Sequence, residues 1–242
     1  MALESGWQWR IPLQHRTGNG LVFCSKYMST DEAQDVLVKN LDTDALAEPR
    51  EVRFKTGRRL KGWNKNCVAI GLSSGFIEPL ESTSIHLIMT AILRLIKLFP
   101  LENITPTDAD EYNRQFLKES EQVRDFIILH YHINQKRSSP FWRYCADMNV
   151  PDSLKHKINL FKDKAAIFRD ADELFRIDSW AHVMLGQGIS PAEYHPIVDL
   201  MPDKELGVFL TSLKSSVDNI VSQLPEHKGF VNKYCKADEL NS

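Results

Sequence analysis

The stretch Gly71-Leu72-Ser73-Ser74-Gly75-Phe76-Ile77-Glu78-Pro79-Leu80-Glu81-Ser82-Thr83-Ser84-Ile85 separates two textures in this chain. Two glycines, a proline and two carboxylates make a turn, and that turn opens an apolar helix. A helix start leaves about four N–H groups without intrahelical partners, and the aligned peptide dipoles put partial positive charge there. Small anions fit such a spot.

Upstream of this turn the pattern is strand-like, with short runs at Trp7 to Leu13, Leu21 to Ser25, Glu51 to Lys55 and Asn66 to Gly71. Gly18-Asn19-Gly20 reads as a hairpin turn. One helix interrupts the strands, starting at Ser29-Thr30-Asp31-Glu32 and running to about Leu41. Downstream the pattern is helical. Ile85, Ile88, Met89, Ile92, Leu93, Leu95 and Ile96 make the helix from about Ser82 to Leu98 apolar on most sides, which predicts a buried central helix ended by Pro100. Thr107-Asp108 opens a longer one carrying Tyr112, Phe116, Val123, Phe126, Ile127 and Leu129 at helical spacing. Shorter helices are predicted near Pro140 to Met148, Asp152 to Phe161, Asp178 to Leu185 and Asp203 to Leu224, and a polar tail from Lys236 to Ser242 reads as frayed. The expected fold class is α+β, with a β-rich part over 1–80 and a mainly helical part over 81–242.

Thirty basic against thirty-two acidic residues among 242 give a formal charge of −2, so no global field draws the chain to nucleic acid or an anionic membrane. Cys24, Cys67, Cys145 and Cys235 lie far apart without a Cys-x-x-Cys pair, which argues against a zinc site or a disulfide framework and for a reducing cytoplasm. The start carries no secretory pattern, and the apolar run from Ile85 to Phe99 is too short and too interrupted to cross a bilayer. His130 and His132, two apart in a helical run, fall on different faces, unlike the i, i+4 spacing of metal ligands. No metal is expected. Arg50, Arg53, Arg58 and Arg59 alternate with acids or sit in a turn and read as a solvated strand face.

Trp7-Gln8-Trp9-Arg10-Ile11-Pro12 together with Glu78-Pro79-Leu80-Glu81-Ser82-Thr83 resembles the flavin-dependent tryptophan halogenases, which show a Trp-x-Trp-x-Ile-Pro signature and a Glu-Pro-Leu-Glu-Ser-Thr turn. Ala47-Glu48-Pro49-Arg50, Thr56-Gly57-Arg58-Arg59, Asn66 to Gly71, Glu111 to Arg114 and Ser139 to Arg143 extend the resemblance over nearly the whole chain. It implies the C-terminal half of such an enzyme: the β-rich remainder of a flavin-monooxygenase-like domain, then a helical substrate-binding region. The Gly-x-Gly-x-x-Gly fingerprint and the lysine that directs the halogenating species would lie upstream, so the isolated chain is expected to be inactive. The implied cofactors are reduced FAD, supplied by a separate flavin reductase, and a chloride or bromide ion; a homodimer stays open as an assembly.

The same resemblance assigns roles. Glu81 becomes the catalytic carboxylate, accepting a proton from the indole ring or orienting the halogenating species, and it also touches substrate. Thr83 and Ser84 become the halide-binding pair, with Ser84 where many members have glycine. Leu72 and Ile85 become flavin contacts, Trp7 and Trp9 walls of the active site, and Phe141 and Trp142 the aromatic sandwich for the substrate. Glu78 reads as structural. Where tryptophan-specific members carry a glutamate for the substrate ammonium, this chain has Arg137, and where a tyrosine pair is expected it has His130-Tyr131. Those departures remove the amino-acid clamp and move the expected substrate from free tryptophan toward an indole, a peptide-linked residue or another arene. A non-catalytic fragment that binds or assembles with an N-terminal half is the alternative; a flavin monooxygenase would leave the Glu-Ser-Thr turn unexplained.

Overall fold

The computed structural model of the chain describes residues 1–100 and 102–236. Six short strands precede a run of helices: β1 (Gly6–Pro12), β2 (Thr17–Phe23), α1 (Thr30–Lys39), β3 (Gly57–Arg58), β4 (Trp63–Asn64), β5 (Cys67–Val68), β6 (Gly75–Phe76), α2 (Ser84–Lys97), α3 (Pro106–His132), α4 (Pro140–Asp147), α5 (Asp152–Lys164), α6 (Ile177–Gly186), α7 (Asp203–Gln223) and α8 (His227–Tyr234). The strands pair only in twos, β1 with β2, β3 with β6 and β4 with β5. The α+β reading holds. The tail expected to fray lies, beyond Lys236, outside the described residues.

Local chemistry sets most of the helix starts. Ser29 caps α1 and closes a reciprocal box with Glu32. Thr105 does the same for α3 with Asp108, and Pro106 takes the first helical position, where its missing N–H is no loss. Ser139 caps α4 through the Trp142 N–H. Each such cap contributes about 1 kcal/mol.

The chain divides into two compact units. One comprises Met1–Gln8 with Leu21–Glu193, and the other Trp9–Gly20 with Tyr194–Ser242. The first unit thus contains residues from both sides of position 80. Its centre is α3, against which α2, α4, α5 and α6 all pack. Val123, Phe126, Leu129, Leu154, Phe161, Trp180 and Met184 form the main core, with the Phe126 and Phe175 rings stacked at 3.8 Å. In the second unit, α7 and α8 have no buried residue, and Gln14 donates to the Cys235 carbonyl at 2.9 Å.

Several expectations are corrected. Gly18-Asn19-Gly20 is not the hairpin turn but part of β2; the turn falls earlier, closed by the Leu13 N–H on the Arg16 carbonyl at 2.8 Å. The glycines are there for a different reason: the Trp9 ring lies against them, and a Cβ on Gly20 would come within 2.1 Å of it. Glu51 to Lys55 forms no strand among the described residues. Asn66 to Gly71 yields only the two residues of β5 before a 3-10 turn at Gly71–Ser73. Neither segment has a neighbour that extends its pairing. Helix α2 is not buried. Only Ala91 and Arg94 are fully buried on it, while Ile85, Met89, Leu93 and Ile96 face outward. Its composition suits burial on nearly every side, and within this chain only one side finds a partner. The helix α8 was not anticipated, because its eight residues are too few to show a period.

Candidate functional site

The turn after β6 does what its sequence suggests. Pro79–Glu81 forms a single 3-10 turn, and Ser82 then takes a left-handed conformation with φ of 53°. A residue with a Cβ adopts that region at a cost of roughly 1–2 kcal/mol. The chain reverses there and enters α2 at Thr83. No side chain caps α2, since Thr83 makes no capping hydrogen bond. Thr83 is buried and Ser84 half-buried, so the first N–H groups of a 14-residue helix keep their partial positive charge without a side-chain acceptor.

Beside this helix start lies a cavity of about 1470 Å³ within the first unit, lined by Leu72, Glu78, Ser84, Ile88, Tyr131 and Phe141 among others. Gly71, at φ of +68°, packs its α-carbon against Ile88; any side chain there would be strained and would press on that wall. Arg53 and Arg58, expected on a solvated face, are exposed but line the cavity as well. Arg94 is buried on α2 and paired with Glu119 at 2.7 Å.

Glu78 and Glu81 have different surroundings. Glu78 is buried and accepts from Trp7 Nε1 at 3.1 Å, and the same N–H reaches the Tyr131 hydroxyl at 2.9 Å. Burial pushes the Glu78 carboxyl up, against the smaller opposite pull of the hydrogen bonds from Trp7 and Tyr131. The Tyr131 hydroxyl is pushed up too, first by burial and then by the neighbouring Glu78 charge. Glu81 is half-exposed, and its Oε1 lies 3.0 Å from His130 Nε2. Burial disfavours the charged form of His130, but the hydrogen bonds to Glu81 and to the Phe126 carbonyl outweigh it and raise its pKa above the ordinary imidazole value.

The residues singled out from sequence are distributed unevenly. Leu72, Ser84 and Phe141 line the cavity, and Thr83 sits directly before Ser84. Leu72 and Ile85, which sequence alone assigns to a core, are 73% and 72% exposed. Trp7 reaches the cavity through Glu78 and Tyr131. Trp9 belongs to the second unit, with its ring on Gly18 and Gly20. Gln8, between the two tryptophans on β1, is buried and accepts from the Asn40 side chain at 2.9 Å. Trp142 does not line the cavity. It is buried, donates from Nε1 to the Leu3 carbonyl at 2.6 Å, and stacks on Tyr131 with ring centroids 5.7 Å apart. Arg137 is exposed. Sequence reasoning missed His130 as the partner of Glu81. The signal available was its place in the last turn of α3, where the dipole favours a protonated imidazole. Among the described residues no group of three or more His, Cys, Asp or Glu side chains is placed to hold a metal ion, and no helix is long and apolar enough to cross a membrane.

A 3-10 turn bearing a carboxylate, a helix start without a side-chain cap and a mainly apolar cavity lie next to one another here. The family profile of tryptophan halogenases matches residues 1–203, and the chain belongs to that family. A flavin-dependent halogenase from Xanthomonas campestris, Xcc4156, shares 50% identity with it and superposes with a TM-score of 0.95, covering 98% of this chain and 48% of that one. The flavin-dependent halogenase BrvH from Brevundimonas sp. BAL3 is 46% identical with a TM-score of 0.91, over 96% of this chain and 47% of that one. The tryptophan 6-halogenase ThaL of Streptomyces albogriseolus is 31% identical over 93% of this chain and 46% of its own length. The chain spans about half the length of the curated relatives it matches.

The residues present fit one side of a flavin. Leu72, in a turn packed on α2, and Ile85, in the first turn of that helix, offer exposed apolar surface next to a helix start without a side-chain cap. The sequence contains no Gly-x-Gly-x-x-Gly to seat the dinucleotide phosphates, so the remaining contacts have to come from elsewhere.

Proposed function

We propose that this chain is the C-terminal part of a flavin-dependent halogenase that acts on an electron-rich arene of the indole type, completed by an N-terminal flavin-binding half. The division at residue 80, between a part facing flavin and halide and a part facing substrate, is on this reading a division of roles that cuts through one compact unit. When bound, reduced FAD from a flavin reductase supplies, with oxygen, the oxidising power that makes halide electrophilic. The directing lysine and the dinucleotide fingerprint belong to the N-terminal half, and this chain's residues supply the halide, proton-accepting and substrate contacts.

The N–H groups at Thr83 and Ser84 hold chloride or bromide at the start of α2, with the Ser84 hydroxyl as an added donor. Leu72 and Ile85 hold the apolar side of the cofactor. Phe141 and Tyr131 form the inner wall of the substrate cavity, screening that side from water and from escape of an oxidising halogen species. Trp7 stiffens that wall through Glu78 and Tyr131, and Trp142 acts from behind by fixing the Tyr131 ring. Glu81 takes the proton that the ring must lose when it regains aromaticity. Arg137 in place of a carboxylate favours a substrate without a free ammonium group, such as an indole or a peptide-linked ring. The free cysteines suit a reducing cytoplasm.

The observation that carries this reading is the uncapped start of α2 directly after Glu81, beside the cavity. Its test is reconstitution with the flavin-binding half of the 50% identical relative, a flavin reductase, bromide and indole, read by mass spectrometry. A monobrominated product that depends on Glu81 is expected. Absence of any halogenated arene, with flavin bound and reduced, overturns the reading.

A further inference from the structure

Resting on the role given to Glu81 above, we propose that His130 is a positioning residue for it, and that the two side chains accept the substrate's proton as one unit. The geometry of the imidazole dictates this. His130 Nδ1 lies 2.8 Å from the Phe126 carbonyl oxygen, one turn back on α3. A carbonyl oxygen only accepts, so Nδ1 carries the hydrogen. In the neutral ring Nε2 is then a bare lone pair. Yet Nε2 stands 3.0 Å from Glu81 Oε1, and a carboxylate is also acceptor-only. That contact is attractive only when a proton lies between the two atoms, as imidazolium with carboxylate or as imidazole with carboxylic acid.

The surroundings favour the proton-loaded pair. The charged groups acting on His130 are both acids, Glu81 from the turn and Glu78 three residues earlier, whose own bonds are to Trp7 and Tyr131. The Phe126 ring meets the imidazole edge-on at 4.9 Å, and the C-terminal end of α3 adds its dipole. The direction of the His130 pKa agrees with this arrangement.

Unloaded, the pair is a carboxylate facing a neutral imidazole, with opposed lone pairs and a charge of −1. After halogen adds to the arene, the ring carbon carries both halogen and hydrogen and the ring is a cation. Its C–H bond breaks, the electron pair returns to the π system, and the proton lands on Glu81 Oε1 or passes to His130 Nε2. The ring goes from +1 to neutral and the pair from −1 to neutral. A lone carboxylate is a weak base with a pKa of about 4.3. His130, whose own proton affinity is raised by its hydrogen bonds, gives the pair a basic nitrogen near neutral pH, where general-base catalysis is most effective.

Imidazole 15N NMR on this chain tests the pair without turnover. The unloaded ring should show the Nδ1–H tautomer, and His130 should titrate above about 6.5, the ordinary value. Glu81→Gln should lower its proton affinity about tenfold or more. Should Glu81→Gln not fold, Glu81→Asp, which shortens the reach by one methylene, must lower it as well. An Nε2–H tautomer, or the same titration with and without Glu81, overturns the proposal. In the reconstituted enzyme, the rise of kcat/KM with pH should move to lower pH by about two units, from the imidazole toward the carboxylate range, in His130→Gln, which a packing role would not produce. An unmoved pH limb also overturns it. If NMR shows the coupling but Glu81→Gln halogenates at the full rate, the coupling is real and the catalytic reading of Glu81 fails, taking the proton-accepting role with it.

Discussion

Two buried carboxylates in the first unit have opposite fates. Glu173, 5% exposed, accepts from Lys157 at 2.8 Å and from Trp180 Nε1 at 3.0 Å, in the core between α5 and α6. Lys157 also lies over the Trp180 ring at 4.0 Å. Glu78, 8% exposed, has hydrogen-bond donors but no salt bridge among the described residues, its Oε1 has no partner, and the His130 charge acts on it only as a minor contribution. A buried ion pair balances desolvation with Coulomb attraction, whereas a buried acid without a cation keeps its desolvation cost and shifts toward the neutral form. The first arrangement closes a core. The second lines the cavity and lies close enough to the Glu81–His130 contact for its charge to act on His130.

The largest effect expected is kinetic and falls beside Glu78, at the half-exposed Glu81 of the same turn. Glu81→Gln in the reconstituted enzyme should lower halogenation by about 10²–10⁴, the range for losing a general base, while flavin binding and urea stability stay near wild type. Turnover within a factor of two of wild type would remove Glu81 from the chemistry. Glu173→Ala should do the reverse. Removing one partner of a buried pair costs about 3–5 kcal/mol, because Lys157 and the Trp180 N–H lose their acceptor, and the urea midpoint should fall accordingly. A loss under 1 kcal/mol would mean that water reaches Lys157 and that this region is no drier than the other.

A pH experiment sharpens the contrast further. The folded Glu78 carboxyl is raised above its unfolded value, so the native state holds more protons than the unfolded one between the two pKa values. Stability from this group is therefore full below the unfolded pKa and is lost as pH rises through the folded one. Glu78→Gln keeps an acceptor for Trp7 and removes the charge. Its urea stability should match wild type at pH 4 and exceed it at pH 7. A variant less stable than wild type at pH 7 would show that the ionised carboxylate is favoured where it sits.

Much of this was legible in the sequence, and the limits have physical causes. Ser29 with Glu32, and the turn at Glu78 to Thr83, announce themselves because capping and turn chemistry act within a few residues. The helices other than α8 were legible from periodicity, with α3 opening at Thr105 rather than Thr107 because proline takes the first helical position. Burial of α2 was misjudged, since an apolar helix only reports that it wants partners, and this chain supplies one side of them. Gly18 and Gly20 were misread because their reason is the Trp9 ring on the neighbouring strand, and no local rule carries that. The Glu81–His130 pair joins the turn to the far end of α3, so no spacing could reveal it. The resemblance singled out Leu72, Ser84 and Phe141, which line the cavity, but gave no sign that Trp142 donates to the Leu3 carbonyl and stacks on Tyr131.

The smallest effect expected is at Ser82, and it separates strain from contact. Its left-handed backbone costs a residue with a Cβ roughly 1–2 kcal/mol, and glycine relieves that while losing about 0.5–1 kcal/mol through greater freedom in the unfolded chain. Ser82→Gly should therefore stabilise the fold by about 0.5 kcal/mol in urea. Ser82→Ala, which keeps the Cβ and loses only the hydroxyl, should show no such gain. The turn carries Glu81 to His130, so a looser backbone should also weaken their coupling and lower the His130 pKa slightly in Ser82→Gly alone. Equal gains in both variants would place the cost in the hydroxyl rather than the backbone, and the turn would then be an ordinary surface bend with no hold on the carboxylate before it.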